Sequence, residues 1–442
     1  MIPFNRGETV KKYNEYKNPS YAQIGTDMLS FWKEQGIFEK SVTQKEGHPT
    51  FTFYEGPPSA NGAPGIHHVM ARTVKDIFCR YKTQKGFQVK RKGGWDTHGL
   101  PIELQVEKEL GITKEDIGKK ITVEEYNQKC RETVMRFKDQ WDDLTEKMGY
   151  WVDLDNPYVT FERDYIETLW SLLKRLYDKG LLYKGYTIQP YSPAAGTGLS
   201  SHELNQPGTY KDVKDTSLTA QFKVAGTDND YILAWTTTPW TLPANNGLAV
   251  GAGVEYVKVK TFNQYTHLPV NVILAKDRVS YYFNAKAKDL KIEDYKPGDK
   301  LIPYEIVESY KGRDLAGMDY EQLMPYLPLE NPAFTVVVGD FVTTEDGTGI
   351  VHISKTFGAD DYRTSVQNNM PGVFVKDEEG NDAPIVDKQG RYVKEITDFA
   401  GMYVKNQYYA AGTEPDKSLD VLISIKLKEE NKAFEVKKYE HS

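Results

Sequence analysis

Two short runs concentrate the side chains that could do chemistry in this chain. The first, Glu55-Gly56-Pro57-Pro58-Ser59-Ala60-Asn61-Gly62-Ala63-Pro64-Gly65-Ile66-His67-His68, ends in two imidazoles. The second, Gly94-Trp95-Asp96-Thr97-His98-Gly99-Leu100-Pro101-Ile102-Glu103, sets a carboxylate just after a Gly-Gly pair. Both are too rich in Gly and Pro to continue a strand or a helix. A loop that runs into a helix start presents unpaired backbone N–H groups and a positive dipole end, which suits phosphates. The plainer alternatives are that His67 and His68 are helix-start residues on a solvated turn and that Asp96 is a helix cap.

The elements around these runs must bring them together. β-like segments precede them, Thr50–Tyr54 and Phe87–Lys90, and the spacing predicts one helix between, from Ile66 to Lys85, burying Ile66, Met70, Ile77 and Tyr81. Both loops then fall at the carboxyl ends of strands expected to be parallel, where open α/β sheets bind nucleotides. An amphipathic helix is expected over residues 20–35, capped by Ser20 and showing Tyr21, Ile24, Met28 and Phe31 on one side. Thr122 and Glu125 form a capping-box pattern for a helix running to Gly149, and another is expected over 162–179. Leu176–Tyr186 and Leu427–Tyr439 both read as helix end, tight turn and short strand. Between them the texture is β, at Ser217–Val224, Tyr231–Thr238, Tyr256–Phe262, Asn271–Ala275, Phe334–Val338 and Gly349–Ser354, which predicts a barrel-like β domain.

Bulk properties narrow the setting. With 442 residues, two or three domains are expected. Hydrophobic content of 39% and charged content of 27% describe a globular chain with material for real cores. No apolar stretch of signal-peptide or membrane-spanning length occurs, and the two cysteines, Cys79 and Cys130, fit a reducing compartment, so a cytoplasmic protein away from membranes is expected. A net charge of −7 neither requires nor excludes a nucleic-acid partner.

On the two loop runs the chain resembles the isoleucine branch of the class I aminoacyl-tRNA synthetases. That family carries Gly-Trp-Asp-x-His-Gly-Leu-Pro-Ile-Glu, matched by Gly94–Glu103. The resemblance implies ATP, with magnesium, L-isoleucine and isoleucine tRNA as partners, and a monomer. It assigns the ATP contacts to Gly56, Asn61, Gly65 and His68, the phosphate chemistry to His68 and His67, and the amino acid to the Pro57 carbonyl and the Asp96 carboxylate. The family's His-x-Gly-His is altered: the first His position is Gly65 and the family Gly is His67.

An isoleucine pocket rejects valine weakly, since one methylene is worth roughly 1–3 kcal/mol, as is known for this family, so the resemblance implies a second, hydrolytic site. Trp235–Asn245 matches the family's threonine-rich peptide, and Gly347–Ser354 followed by Gly358–Tyr362 matches the second editing segment. The resemblance gives Thr236, Thr237, Thr238 and Asn245 the terminal adenosine of mischarged tRNA, Asp361 the ammonium of valine, and His352 the side-chain pocket. A departure is Ser354-Lys355-Thr356-Phe357, where the family has Ala-Pro and then small or His residues. The plainer alternatives are a threonine cluster serving its own backbone and Asp361 as an N-cap.

The family's zinc knuckle is altered too, with Ser192 and Ala195 at its cysteine positions, so no metal site is expected there. The implied architecture is α/β: an incomplete Rossmann-like parallel sheet with an inserted, mainly-β barrel-like editing domain. Its expected parts are 1–48 (helical extension), 49–204 (first half of the catalytic domain and start of the connective peptide), 205–405 (editing domain) and 406–442 (return to the catalytic domain). No Lys-Met-Ser-Lys-Ser run occurs in the 442 residues, so the chain reads as a portion inactive in aminoacylation by itself. The alternative is a stand-alone aminoacyl-tRNA deacylase or a non-catalytic tRNA-binding module.

Overall fold

Alternating apolar residues at Phe51 and Phe53 and the Val89-containing run form the first strands, β1 (Thr50–Tyr54) and β2 (Gln88–Trp95), which pair in parallel from Thr50 with Gln88 to Tyr54 with Lys92. The computed structural model describes residues 17–442, so residues 1–16 of the expected extension lie outside the described residues. The chain divides into two compact units, residues 1–184 and 185–442.

In the first unit, α1 (Tyr21–Glu34) is capped by Ser20, whose hydroxyl accepts the Gln23 N–H at 3.4 Å, and α2 (Ile37–Thr43) follows. The crossover helix α3 (Ile66–Gln84) joins β1 to β2. Then come α4 (Leu100–Leu110), α5 (Val123–Val134), α6 (Lys138–Lys147), β3 (Asp153–Val159) and α7 (Arg163–Asp178). β3 pairs in parallel with β2, giving the order β1-β2-β3. The capping box forms as expected, with Thr122 Oγ1 accepting from Glu125 N at 3.2 Å and Thr122 N donating to Glu125 Oε2 at 3.1 Å.

Three expectations fail here. The helix expected to run to Gly149 breaks at Met135–Phe137, because the Phe137 N–H leaves the helix to bond the Ala60 carbonyl at 2.9 Å. No strand forms after α7 within 179–186. The face of α3 is also reversed. Ile66, Met70, Ile77 and Tyr81 are exposed, and the buried residues are Arg72 and Cys79. Apolar periodicity locates a helix, but burial goes to the side with partners, and Arg72 finds the Thr145 hydroxyl and the Trp141 ring.

The second unit opens with a hairpin, β4 (Tyr191–Ser192) and β5 (Thr197–Gly198), and a turn of helix, α8 (Ser201–Leu204). Its main sheet contains β6 (Val213–Lys223), β7 (Asp230–Thr236), β9 (Glu255–Phe262), β10 (Pro269–Ala275) and β11 (Glu305–Lys311). A three-stranded sheet has β8 (Gly247–Val250) between β12 (Thr335–Val338) and β13 (Ile350–Ile353). Short helices α9 (Val279–Tyr282), α10 (Gly312–Leu315) and α11 (Ala359–Gln367) and a small hairpin, β14 (Val375–Lys376) with β15 (Asp382–Ala383), precede α12 (Leu419–Glu429) and β16 (Ala433–His441).

The main sheet has the order β11-β9-β10-β7-β6-β16, so the β region is two open sheets, not a closed barrel. β16 pairs antiparallel with β6 along its length, His441 opposite Val213. Residues expected to return to the catalytic domain therefore complete this sheet. Alternation buries both of its faces. Leu218, Phe222 and Ile232 join Leu248, Ile350, Ile423 and Leu427 on one side, while Leu233, Val257, Val259, Val272 and Phe434 pack on the other. Each such fully buried side chain contributes about 2 kcal/mol.

Candidate functional sites

The first candidate site is the carboxyl edge of β1, β2 and β3. Glu55, directly after β1, is only 3% exposed. Its carboxylate accepts from Lys75 Nζ and the Tyr150 hydroxyl, its carbonyl accepts from the Tyr158 hydroxyl, and its N–H bonds Lys92 O at 2.8 Å. A buried carboxylate persists only when paired and hydrogen-bonded in this way. Burial, with Glu55 alongside, pushes the Tyr150 phenol far up.

From this base the first loop is fastened point by point. Pro58 O accepts the Asp96 N–H at 3.0 Å, joining the two motif runs. Trp141 Nε1 donates to Gly62 O at 2.8 Å, and Asn61 Nδ2 donates to Gln105 Oε1 at 3.1 Å. Gly94 lets β2 approach β3, since a Cβ there would lie 2.3 Å from the Tyr158 ring. Asp96 caps no helix; its carboxylate accepts the His98 N–H at 3.3 Å, and Gly99 is the N-cap of α4.

At the start of α3, His68 Nδ1 accepts the Gly65 N–H at 2.9 Å, and the ring lies 4.6 Å from Trp141 and 3.8 Å from His67. Burial lowers its pKa, and the neighbouring His67 and Arg72 lower it further. Neutral His68 thus carries its ring proton on Nε2, as a donor. His67 is exposed, Gly56 is exposed, and Pro57, Asn61, Gly65 and Asp96 are half-buried.

The second candidate site lies where β7 ends and β13 passes. Thr238 N donates to Thr236 Oγ1 at 3.0 Å, and the two hydroxyls are 3.2 Å apart. Thr241 Oγ1 gives its proton to Thr238 O at 2.9 Å, so it accepts from His352 Nε2 at 3.0 Å. His352 is neutral, its pKa pushed down to about 4 by burial, and its Nδ1 is a buried acceptor with no partner among the described residues. Trp240 Nε1, Ser354 Oγ and Thr356 Oγ1 are likewise buried and unpartnered among the described residues. Buried polar atoms are rarely left so, which marks this region as chemically suited to polar ligands.

Asp361 is the third residue of α11, whose N-cap is Gly358, so it is not itself the cap. Its Oδ2 accepts the Ser354 N–H at 2.9 Å, and burial raises its pKa to about 6, with Asp360 adding to the rise. Asn245 departs from expectation. It is 2% exposed, its amide donates to Gly247 O at 2.9 Å, and its carbonyl accepts from the buried Tyr320 hydroxyl at 2.6 Å. It ties loop to strand with both amide protons taken, the second by Ile353 O at 3.3 Å, which leaves one lone pair on its carbonyl.

Thr236, Thr238, Thr241 and His352 thus form one hydrogen-bonded group, with Thr237 half-buried, and Asp361 bonds the Ser354 amide two residues beyond His352. In the first unit the structure joins Pro58, Asp96 and the His68 turn through a shared scaffold. Motif reading gave no role to Glu55, Arg72, Lys75, Trp141, Tyr150 and Tyr158, which build that scaffold; the one signal was the carboxylate of Glu55 directly after the strand Thr50–Tyr54. In the altered knuckle, Ser192 Oγ accepts the Ala195 N–H at 3.2 Å. Among the described residues no three His, Cys, Asp or Glu side chains are grouped to hold a metal, and no helix is long and apolar enough to cross a membrane.

Comparison with known proteins assigns the class. Residues 27–410 match the family model for class I tRNA synthetases (I, L, M and V), and the chain belongs to that family. Within it, the chain is 66% identical to an isoleucine–tRNA ligase of Cytophaga hutchinsonii, across 98% of this chain and 40% of that protein. It is 55% identical to that of Bacteroides fragilis, with the same shares covered. With the isoleucine–tRNA ligase of Clostridium tetani it is 43% identical, over 87% of this chain and 34% of the relative. The chain spans about two-fifths of the length of the first two of these relatives, 40% in both.

Proposed function

We propose that this chain carries part of the synthetic site and the hydrolytic site of an isoleucine–tRNA ligase. The enzyme joins L-isoleucine to ATP, passes the isoleucyl group to isoleucine tRNA, and hydrolyses valyl-tRNA formed in error. It works in the cytoplasm as a monomer. The observation that carries the reading is the Asp96 N–H bonded to Pro58 O at 3.0 Å, which holds an ionisable carboxylate beside the Pro57 peptide. The carboxylate and the Pro57 carbonyl hold the substrate ammonium. The Nε2–H of His68 and the amide groups opening α3 donate to ATP phosphates as negative charge builds. His67 is exposed beside His68 and supplies a second imidazole in place of the altered motif position. Magnesium arrives with ATP.

In the second unit, Thr236, Thr237 and Thr238 hold the terminal adenosine, Asp361 the free ammonium of valine, and His352 the side-chain pocket. Asp361 must be ionised for its role, so deacylation is expected to rise as pH climbs through about 6. The test uses the complete enzyme and valyl-tRNA bearing the isoleucine anticodon. Asp361→Ala is expected to abolish deacylation; unchanged deacylation would overturn the assignment. The 442-residue chain alone, which has no Lys-Met-Ser-Lys-Ser run, is expected to show no isoleucine-dependent ATP–pyrophosphate exchange.

A further inference from the structure

Trp240 lies two residues after the last of the three threonines, in the 3-10 turn Pro239–Ala244 that carries Thr241 to His352. Both of its peptide groups are gripped by residues far along the chain. Its N–H donates to Asp420 Oδ1 at 3.0 Å, and its carbonyl accepts from the Tyr392 hydroxyl. Asp420, in the first turn of α12, is 3% exposed, and Tyr392 is 2% exposed. Ordinary backbone turns need no such partners, least of all a buried carboxylate whose desolvation is costly.

The carboxylate is kept in place by a chain of charges. Lys405 Nζ bridges Asp420 Oδ2 at 3.0 Å and Asp215 Oδ2 at 2.9 Å, and His441 Nε2 lies 3.1 Å from Asp215. Burial raises the Asp420 pKa against the pull of Lys405. At Asp215 burial also works upward, but Lys405 and His441 outweigh it and hold the carboxyl low. Lys405 is therefore a shared counter-ion that lets Asp420 stay charged at the Trp240 amide.

We propose that Asp420 and Tyr392, with Lys405 behind Asp420, are positioning residues of the hydrolytic site, holding the Trp240 peptide so that the threonine hydroxyls and the Thr241–His352 pair keep their register. The proposal rests on the hydrolytic reading above. None of the three touches the predicted substrate positions, so their effect reaches the reaction through geometry. Displacements on the order of 1 Å in such a frame cost up to about a hundredfold in rate.

The experiment uses the complete enzyme, measuring kcat and KM for deacylation of valyl-tRNA beside isoleucine-dependent ATP–pyrophosphate exchange and the melting temperature. Tyr392→Phe, which removes one hydroxyl and keeps the ring, is expected to lower deacylation kcat about tenfold with KM and exchange unchanged. Lys405→Met is expected to act in the same direction, with Lys405→Arg restoring most of the rate. Asp420→Ala is expected to give the largest loss, and Tyr392→Phe keeps the test decisive if that variant fails to fold. Deacylation kcat within twofold of the parent in folded Tyr392→Phe and Lys405→Met, while Asp361→Ala abolishes it, overturns the proposal. If Asp361→Ala also leaves deacylation intact, the hydrolytic reading is at fault, and the positioning role falls with it.

Discussion

The two units hold their chemistry in different ways. In the first, Gly56, Pro57 and Asp96 sit on loops at a sheet edge and His67 in the first turn of α3, half-buried or exposed, and a few long-range hydrogen bonds from Tyr158, Trp141 and Phe137 fix the loops. In the second, Thr236 and His352 lie within or next to strands, under 9% exposed, in contact with the main core. The helices repeat the contrast: α1 and α7 bury no residue, whereas α12 buries Leu419, Asp420, Ile423, Ser424 and Leu427. A site hung on loops depends on individual anchors. A site set in a core is shaped instead by what burial does to its ionisable groups.

The sharpest test of this contrast is Gly94→Ala. Its Cβ would meet the rigid Tyr158 ring at 2.3 Å, so the first unit is expected to lose about 3 kcal/mol, read from urea unfolding. A loss below about 1 kcal/mol would show that the β2–β3 seam yields, and that loop anchors matter less than argued.

Next comes Asp361→Asn, which probes the buried site. The folded pKa of Asp361, about 6, lies above its ordinary 3.8. Its contribution to stability is therefore present below about pH 4 and lost as pH rises through 6. His352 runs the other way. With its pKa near 4 against 6.5, its contribution is present above 6.5 and lost as pH falls through 4. Between pH 4 and 6 the two slopes oppose. Asp361→Asn is expected to stabilise the second unit at pH 7.5 by at most about 2 kcal/mol after solvent screening, and to leave stability falling steeply on acidification. A variant less stable than the parent at pH 7.5 would contradict this.

Smaller still is Trp141→Phe, which keeps one aromatic ring but loses the rest of the buried indole and its bond to Gly62 O. It is expected to destabilise the first unit by about 1 kcal/mol and to weaken ATP binding by the complete enzyme. An unchanged ATP KM would remove Trp141 from the anchors. The smallest effect is expected at Gly247→Ala, well under about 1 kcal/mol by the same urea measurement, because the atom it would meet at 2.2 Å is the flexible Met370 methyl. A cost near that of Gly94→Ala would erase the distinction between rigid and yielding neighbours.

Much of this could be read from residue patterns. Ser20, Thr122 and Glu125 announce their caps, and the alternation at Ser217–Val224 or Tyr256–Phe262 announces strands that form. The motif runs fall at the two sheet edges described above, and Asn245 among them is tied into the frame by Gly247, Ile353 and Tyr320. What stayed hidden was burial against type. Charged residues are ordinarily exposed. Glu55, Arg72 and Asp420 are buried because partners 20, 73 and 180 residues away in Lys75, Thr145 and Trp240 receive them. No local window contains those pairs, and the same blindness reversed the expected face of α3.

The pairing of Val213 with His441 has a consequence for how this protein can be rebuilt. Paired residues on neighbouring antiparallel strands lie about 5 Å apart, so the stretch from β6 to β16 begins and ends side by side. A cassette with adjacent ends can be lifted out, or spliced into a surface turn of an unrelated host, without stretching either party, because closing so short a gap costs the host little entropy.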